Sequence, residues 1–236
     1  MFKVALIGLD GQSVPTWVSD TFDKEGIAFV AQQCTSREML AEVAGDADVV
    51  WVFGSHQSLY AENLDVIPKC GAIIRTGSGT DNVPVKEATE RGIIVANTPD
   101  ALTDAVSDHA IGLLFSIIRT IPVQDRAIRN GSWDRHIAKN RWHLHDQTLG
   151  LVGFGRIAQA VARKMSGFRL NVLAYDPYIS AARMAEQNVQ AAALDQVLQQ
   201  ADFVSIHCPL TPETFHLIDE RALRQMQPHA VLINTS

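Results

Sequence analysis

The sequence is poor in cysteine and has no apolar run long enough to span a membrane. Its 236 residues include three cysteines, Cys34, Cys70 and Cys208, which are far apart and form no CxxC pair. An odd and scattered set of cysteines excludes a disulfide framework and favours a reducing compartment, so we expect the protein in the cytoplasm. The most apolar stretch, residues 110–118, is far shorter than the roughly 18 residues that a membrane span needs, so we expect no membrane partner.

Basic residues are too few and too scattered to form a nucleic-acid-binding surface. The chain has 20 lysines and arginines against 26 aspartates and glutamates, a net charge of -6, and no basic run longer than two residues. An acidic chain of this kind is a poor partner for nucleic acid. The hydrophobic fraction of 47% and the charged fraction of 19% are typical of a globular protein. The first residues, Met1–Gly8, have the pattern of a β-strand, so we expect no signal peptide.

The first hundred residues alternate short apolar runs with segments of helical length. This alternation is typical of a parallel sheet covered by helices on both faces, and it predicts an α/β domain over residues 1–100. The predicted strands are Phe2–Gly8, Ile27–Ala31, Val49–Phe53, Ala72–Thr76 and Ile93–Asn97, and the predicted helices are Pro15–Glu25, Arg37–Ala44 and Val85–Arg91.

A break at Thr98-Pro99-Asp100 precedes a long segment of helical pattern, Thr103–Asn130. Pro122 predicts a kink or a division into two helices, because proline lacks the N–H that a helix interior uses. Apolar residues occupy most of the helix circumference. This pattern predicts burial on several sides, as in a connector between domains or a dimer interface.

A second α/β block follows, in a domain predicted over residues 101–236. Its strands are continuous apolar runs, which is the pattern of parallel strands buried on both faces. The predicted strands are Leu149–Phe154, Leu170–Tyr175, Phe203–His207 and Val231–Asn234, with Val189–Ala193 as a weaker candidate.

One glycine-rich motif in this block has the features of a dinucleotide-binding turn. The segment Gly153-Phe-Gly155-Arg-Ile-Ala158 follows a predicted strand and opens a helix, and Asp176 ends the next strand. The first glycine permits a tight turn, the second lets the backbone approach a diphosphate, and the helix N-terminus offers N–H groups to it. Asp176 can accept hydrogen bonds from a ribose and repel a 2′-phosphate, which favours NAD over NADP. The alternatives are a turn without a ligand and, at Asp176, an ordinary Asp-Pro turn.

A second glycine-rich loop, Gly77-Ser78-Gly79, follows a strand of the first domain. Its glycines leave backbone N–H groups unscreened, so the loop can cradle a small anion such as a carboxylate. The alternative is a flexible turn closed by side-chain hydrogen bonds of Asp81 or Asn82. Arg75 and His56 are further candidates to line a substrate cleft.

The segment His207-Cys208-Pro209-Leu210-Thr211 lies at the end of a strand of the second domain. In the usual order of a doubly wound sheet this strand neighbours the one that carries Gly153, and ligands bind where the strand order reverses. The segment should therefore lie near a bound nicotinamide. Nothing nearby in the sequence orients the His207 imidazole as a general acid or stabilises a Cys208 thiolate, so we expect contacts mainly through the backbone.

Several motifs occur together in a fixed order along the chain. They are Arg75-Thr-Gly-Ser-Gly-Thr-Asp-Asn82, Gly92-Ile-Ile-Val-Ala-Asn-Thr-Pro99, Ala105-Val-Ser-Asp-His-Ala110, Arg129-Asn-Gly-Ser-Trp133, Leu149-Gly-Leu-Val-Gly-Phe-Gly-Arg-Ile157, His207-Cys-Pro-Leu-Thr211 and Leu232-Ile-Asn-Thr-Ser236. By this series the sequence resembles the D-isomer-specific 2-hydroxyacid dehydrogenases over nearly its whole length. Within that family it is most similar to the phosphoglycerate dehydrogenases and the hydroxypyruvate or glyoxylate reductases.

The resemblance implies a Rossmann-type doubly wound parallel sheet in the second domain, incomplete at its C-terminus, and a flavodoxin-like α/β substrate domain in the first. It also implies NAD as the cofactor, a small 2-hydroxy or 2-keto acid as the substrate, and a homodimer formed through the long helix. Gly77, Ser78 and Gly79 would bind the substrate, and Ser78 would also touch the cofactor. The other cofactor-binding residues that the resemblance implies are Val106, Gly153, Gly155, Arg156, Ile157, Asp176, His207, Cys208, Pro209, Thr235 and Ser236.

The sequence departs from the family pattern in three places. Ala158 stands where the family usually has glycine, and Ser107-Asp108 replaces the commoner Ala-Glu. The family's catalytic arginine, carboxylate and histidine would follow Ser236, so the resemblance implies a C-terminally truncated chain that lacks catalytic residues and ends in a strand at an exposed sheet edge. An oxidoreductase of D-2-hydroxy acids is the leading hypothesis. The alternatives are a non-catalytic NAD(H)-binding regulator and an inert fragment.

Overall fold

The computed structural model describes residues 1–54, 59–134, 136–137 and 143–236, and His56 lies outside this part of the chain. The chain divides into two compact units, Met1–Leu102 and Thr103–Ser236, where the sequence predicts a boundary after residue 100. Each unit has its own apolar core.

The first unit is a parallel sheet with helices packed against it. Its strands are β1 (Lys3–Ile7), β2 (Ala28–Gln32), β3 (Val49–Val52), β4 (Ala72–Arg75) and β5 (Ile94–Asn97). Its helices are α1 (Thr16–Lys24), α2 (Arg37–Ala44) and α3 (Val85–Glu90), with short 3-10 helices at Gly11–Ser13 and Ala61–Val66. All neighbouring strands pair in parallel in the order β2-β1-β3-β4-β5, which is the order of flavodoxin-like folds. The predicted α/β fold of this half is confirmed.

The long helical segment is divided into two helices, as Pro122 predicts. Helix α4 (Thr103–Ile118) ends before α5 (Ile121–Arg129) begins, and the two helices are bent by 64° relative to each other. Thr120 lies between them in the left-handed region, with a φ of 52°, and Pro122 falls in the first turn of α5. A proline is tolerated there because the N–H groups of a first helical turn have no intrahelical acceptor.

Helix α4 contacts the core of its unit along one stripe. The buried residues of the helix are Ser107, Ala110, Leu114 and Ile118. Lys164 fixes its N-terminal turn, because the Lys164 ammonium donates to the Ser107 hydroxyl at 2.8 Å and to Asp108 at 2.7 Å. Ile111, Leu113 and Phe115 are partly buried against the same core, whereas Ile117 is exposed. The burial on several sides that the sequence predicts is therefore found only in part.

Among the described residues no single helix is both long and apolar enough to cross a membrane. Only α4 and α5 taken together, as a bent pair, reach that length and composition.

The second unit is a doubly wound parallel sheet. Its strands are β6 (Thr148–Val152), β7 (Asn171–Tyr175), β8 (Gln190–Ala191), β9 (Phe203–Ile206) and β10 (Val231–Asn234). Its remaining helices are α6 (Arg156–Met165), α7 (Ala181–Ala185), α8 (Leu194–Gln200) and α9 (Glu220–Gln225), with a 3-10 turn at Ser166–Phe168. The strands lie in the order β10-β9-β6-β7-β8, so the order reverses between β6 and β9. This is the Rossmann order, and it confirms the predicted fold class.

Two edge strands and one helix face complete this fold. The weak strand predicted over residues 189–193 is reduced to the two residues of β8, whereas β10 forms the opposite edge over its full predicted length. Helix α6 buries mostly small side chains against the sheet, among them Ala158, which is fully buried. The dinucleotide motif requires a small residue at this position, because the helix must pack closely on the strand that precedes it.

Candidate functional site

The turn between β6 and α6 begins at Gly153, whose backbone is pressed against the end of β9. Its φ is +87°, and a Cβ atom at this position would lie 2.8 Å from the backbone nitrogen of Cys208 and 3.0 Å from the carbonyl carbon of His207. The Gly153 N–H donates to the Tyr175 carbonyl at 2.8 Å. Gly153 therefore holds together the ends of three strands, a role beyond the tight turn that the sequence predicts.

Gly155 has the opposite surroundings. It is the N-cap residue of α6, it has an extended backbone, and a Cβ atom built on it meets no other atom within 4 Å. The first turn of α6 follows directly, and because the N-cap residue is a glycine, no side chain at that position covers the N–H groups of the turn. An uncapped helix N-terminus with open space in front of it is an anion-binding feature, because its N–H groups and the helix dipole both favour negative charge.

Asp176 lies at the end of β7 and faces the same turn. One carboxylate oxygen accepts from the Phe154 N–H at 2.8 Å, and the other accepts from the Tyr178 N–H at 2.8 Å. The second bond is the Asp-Pro turn that the sequence offers as an alternative, and the first ties Asp176 to the glycine-rich turn. Each oxygen keeps a lone pair, so the carboxylate can also accept hydrogen bonds from a ligand.

His207 is the first residue after β9. One ring nitrogen, Nε2, lies 2.9 Å from the Ser205 hydroxyl, while Nδ1 is buried and has no hydrogen-bond partner among the described residues. Burial lowers the pKa of His207 to about 4, so the imidazole is neutral at physiological pH. A neutral imidazole is a poor proton donor, which agrees with the expectation that His207 is not a general acid.

Cys208 is half-buried beside Gly153. Burial raises the pKa of its thiol, and the negative charge of Asp176 raises it further. The thiol therefore stays protonated and is not activated as a nucleophile.

These residues line a single cleft of about 230 Å³ at the point where the strand order reverses. It brings together the predicted residues Gly153, Gly155, Asp176, His207, Cys208 and Pro209. It also contains Thr211, which ends the predicted segment after β9, and residues that the sequence did not predict, namely Val152, Tyr175, Pro177, Tyr178, Glu213, Thr214 and Leu217. Thr214, three residues after Thr211, is a polar residue whose position could have pointed to this wall.

Other predicted cofactor residues do not line this cleft. Arg156 and Ile157 lie in the first turn of α6, and Val106 is half-buried on α4. Thr235 and Ser236 follow β10, next to the end of β9, and the Ser236 hydroxyl donates to the Ile206 carbonyl at 3.0 Å. The buried Thr235 hydroxyl has no partner in the described part of the chain. The roles of these residues stay predictions.

The loop Gly77-Ser78-Gly79 is held by neighbours in the first unit. The Gly77 N–H donates to the Thr98 hydroxyl at 2.8 Å, and the Asn97 amide donates to the Ser78 carbonyl at 2.8 Å. The Asn82 amide donates to the Gly54 carbonyl at 3.1 Å. The N–H of Gly77 is thus committed within the protein, which leaves the backbone of Ser78 and Gly79 as the candidate anion cradle.

The cleft fits a dinucleotide on three separate observations. Gly155 leaves open space at the N-terminus of α6, where a diphosphate needs it. Asp176 presents a carboxylate at the end of the neighbouring strand, where a ribose needs acceptors. One buried polar atom of a lining residue, His207 Nδ1, has no hydrogen-bond partner in the described part of the chain, as expected of a group that binds a ligand. Within the described ranges no group of three or more His, Cys, Asp or Glu side chains could hold a metal ion.

Comparison with known families agrees with this geometry. Residues 111–236 match the family described as D-isomer specific 2-hydroxyacid dehydrogenase, NAD binding domain. The matched segment contains β6 to β10 and every residue that lines the cleft.

Individual relatives are similar over most of this chain. D-3-phosphoglycerate dehydrogenase of Mycobacterium tuberculosis is 38% identical over 200 residues, which cover 85% of this chain and 38% of that protein. Glyoxylate reductase of Korarchaeum cryptofilum is 39% identical over 209 residues, which cover 85% of this chain and 61% of that protein. The chain therefore spans less than two thirds of the length of these curated relatives. A solved structure of NAD-dependent formate dehydrogenase from Staphylococcus aureus in complex with NAD aligns with a TM-score of 0.85 and 26% identity, covering 100% of this chain and 73% of that one.

Proposed function

This chain belongs to the D-isomer specific 2-hydroxyacid dehydrogenase family, and we propose that it acts in the NAD-dependent interconversion of a 2-hydroxy acid and its 2-keto acid. NAD is the cofactor of the domain that residues 111–236 form. One observation carries the proposal: Gly155 and Asp176 line the same cleft, where the strand order reverses. The similarity to D-3-phosphoglycerate dehydrogenase and glyoxylate reductase favours a small hydroxy or keto acid as the substrate.

The described residues of the cleft bind and orient, and we assign none of them a proton-transfer role. When bound, NAD would supply the hydride acceptor for oxidation of a 2-hydroxy acid, and NADH the hydride donor for reduction of a 2-keto acid. Asp176 accepts hydrogen bonds from ribose hydroxyls, and the first turn of α6, with Arg156 and Ile157, faces the diphosphate. His207 and Cys208 contribute mainly backbone at the end of β9, and Val106, Thr235 and Ser236 are proposed as further cofactor contacts.

Substrate binding is assigned to the first unit, Met1–Leu102. We propose that the loop Gly77-Ser78-Gly79 holds the substrate carboxylate. Because the Gly77 N–H is bonded to Thr98, the proposal rests on the N–H groups of Ser78 and Gly79.

Titration with NADH tests the proposed function directly. We expect saturable binding, followed by nucleotide fluorescence, and weaker binding of NADPH, because its 2′-phosphate would face the Asp176 carboxylate. Replacing Asp176 by asparagine keeps an acceptor for the Phe154 N–H but removes the charge. We expect NADH to bind about 10-fold more weakly, as for the loss of a charge-assisted hydrogen bond, and the preference over NADPH to shrink.

The matched control is Asp202→Asn. Asp202 also accepts a hydrogen bond from a backbone N–H, that of Thr148 at 2.8 Å. It lies at the N-terminal ends of the strands, away from the cleft at their C-terminal ends. This variant should bind NADH as the wild type does. A wild-type chain that melts cooperatively and yet binds no NADH would contradict the proposed function, and a chain without a cooperative melt would favour the inert fragment.

We also propose a homodimer formed through α4 and α5. These helices present large apolar side chains to solvent, with exposed fractions between 46% and 58%: Ile117, Ile121, Val123 and Ile128. Such a surface is expected to be covered in the functional protein.

Sedimentation of the wild type should detect a dimer, and sedimentation of Ile117→Asp should detect a monomer. The control is Ile94→Asp, which changes a more exposed apolar residue of the first unit and should leave the dimer intact. A monomeric wild type would refute the dimer.

A reducing compartment such as the cytoplasm stays a proposal. It is supported by the three cysteines, none of which forms a disulfide bond among the described residues. Cys34 and Cys70 are buried, and burial raises the pKa of both thiols, so neither is poised to form a disulfide.

A further inference from the structure

A serine and a histidine form an isolated polar pair at the end of β9. Ser205 is 3% exposed, and its hydroxyl lies 2.9 Å from Nε2 of His207. The other ring nitrogen, Nδ1, is buried without a hydrogen-bond partner among the described residues. His207 is one of the residues that line the dinucleotide cleft. One nitrogen is therefore bonded within the protein, while the second is left for a ligand.

The Ser205 hydroxyl can decide which nitrogen carries the proton. A neutral imidazole has one N–H donor and one lone-pair acceptor, and a neighbouring hydrogen bond selects between the two tautomers. If the hydroxyl donates to Nε2, the proton must reside on Nδ1, and Nδ1 becomes a donor. If the hydroxyl accepts from Nε2, Nδ1 becomes an acceptor.

The chemistry of the ligand favours the first arrangement. A dinucleotide is anionic and offers mainly acceptors, namely phosphate, ribose and carboxamide oxygens. The cleft already contains two carboxylates, Asp176 and Glu213, so further acceptors are of little use to such a ligand. A neutral N–H donor at His207 would pair with an oxygen of the bound cofactor at no cost in buried charge.

We propose that Ser205 is a positioning residue that donates to Nε2 of His207, and so holds Nδ1–H as a side-chain hydrogen-bond donor to the bound dinucleotide. This inference rests on the proposed NAD-binding function and adds to it a side-chain contact beyond the backbone contacts expected of His207. Ser205 acts only through the imidazole.

The tautomer can be measured in the free protein. Long-range proton–nitrogen correlation spectra of the ¹⁵N-histidine-labelled chain should show His207 protonated on Nδ1. In Ser205→Ala the hydroxyl that holds this form is absent, and the Nε2–H form should increase. Ser107→Ala is the matched control, because Ser107 is equally buried and hydrogen-bonded but lies on α4. A wild-type His207 protonated on Nε2, or a tautomer unchanged in Ser205→Ala, would overturn the inference.

Binding supplies the second readout, in a double-mutant cycle with His207→Asn. The side-chain amide of asparagine can offer an N–H near the position of Nδ1 without needing Ser205. We expect Ser205→Ala to weaken NADH binding about 3- to 10-fold in the wild-type background, and His207→Asn to keep most of the affinity. In the His207→Asn background, Ser205→Ala should change the affinity by less than about 2-fold.

The outcomes separate this inference from the proposed function. Equal weakening by Ser205→Ala in both backgrounds would mean that Ser205 supports the fold and not the imidazole, which overturns the inference alone. Unchanged NADH affinity in Ser205→Ala and His207→Ala would do the same. A wild-type chain that binds no NADH would overturn the proposed function and the inference together.

Discussion

Replacing Gly153 by alanine should lower the free energy of unfolding by about 3 kcal/mol or more, because two costs add at this position. The residue has a φ of +87°, where a Cβ atom is strained, and that atom would lie 2.8 Å from the backbone nitrogen of Cys208. The obstacle is backbone at the end of β9, so no side-chain rotation can relieve it. Urea denaturation followed by circular dichroism should show the loss as a lower midpoint.

Gly112→Ala is the control for this substitution. Gly112 lies inside α4, and a Cβ atom there meets nothing within 4 Å. Alanine at such a helical position should raise the stability by about 0.5 to 1 kcal/mol, the opposite sign. An unchanged midpoint for Gly153→Ala would show that the turn can move away from β9, against the close approach described above.

Replacing Gly155 by valine should abolish NADH binding while leaving the fold intact. The backbone of Gly155 is extended and a Cβ atom would point into open space, so we expect a change in stability within about 1 kcal/mol. The same space is where the diphosphate must approach the N-terminus of α6, and a branched side chain would block it. We expect the affinity for NADH to fall at least about 100-fold, equivalent to losing the charge-assisted hydrogen bonds of the diphosphate.

Fluorescence titration and a thermal melt of the same preparation check this prediction. Gly155→Ala, with a smaller obstruction, should have an intermediate affinity. Normal NADH binding by Gly155→Val with an unchanged melt would place the diphosphate elsewhere. The two glycines thus make distinct predictions: Gly153 is required by the fold, and Gly155 by the ligand.

Much of the fold was predictable because its signals are local. Apolar runs of strand length, separated by helical segments, predict strands that match β1 to β10 closely, apart from the short β8. Pro122 predicts the division between α4 and α5 since its ring and missing N–H act on adjacent residues. The glycine spacing at Gly153 and Gly155, with Asp176 at the end of the next strand, predicts the dinucleotide turn for the same reason.

The exposed face of α4 shows where a local pattern is incomplete. Its apolar circumference predicts burial on several sides, but only the stripe through Ala110 and Leu114 is fully buried, and Ile117 is left exposed. Hydrophobicity shows that a surface should be covered, and it does not show by what. That information lies in the shape of the neighbouring elements and in the proposed second copy of the chain.

The sequence alone determined the fold class, the glycine-rich turn and the choice of NAD, because each follows from the pattern of residue types along consecutive strands and helices. Only the tertiary structure decided which polar groups meet. The bond from the Phe154 N–H to Asp176 and that from Asn82 to Gly54 join residues 22 and 28 positions apart, and the register of the parallel strands brings them together. The same register places the end of β9 against Gly153. It also buries Nδ1 of His207, which has no hydrogen-bond partner in the described part of the chain. Strand pairing sums weak contacts over the whole sheet, so no short stretch of sequence contains it.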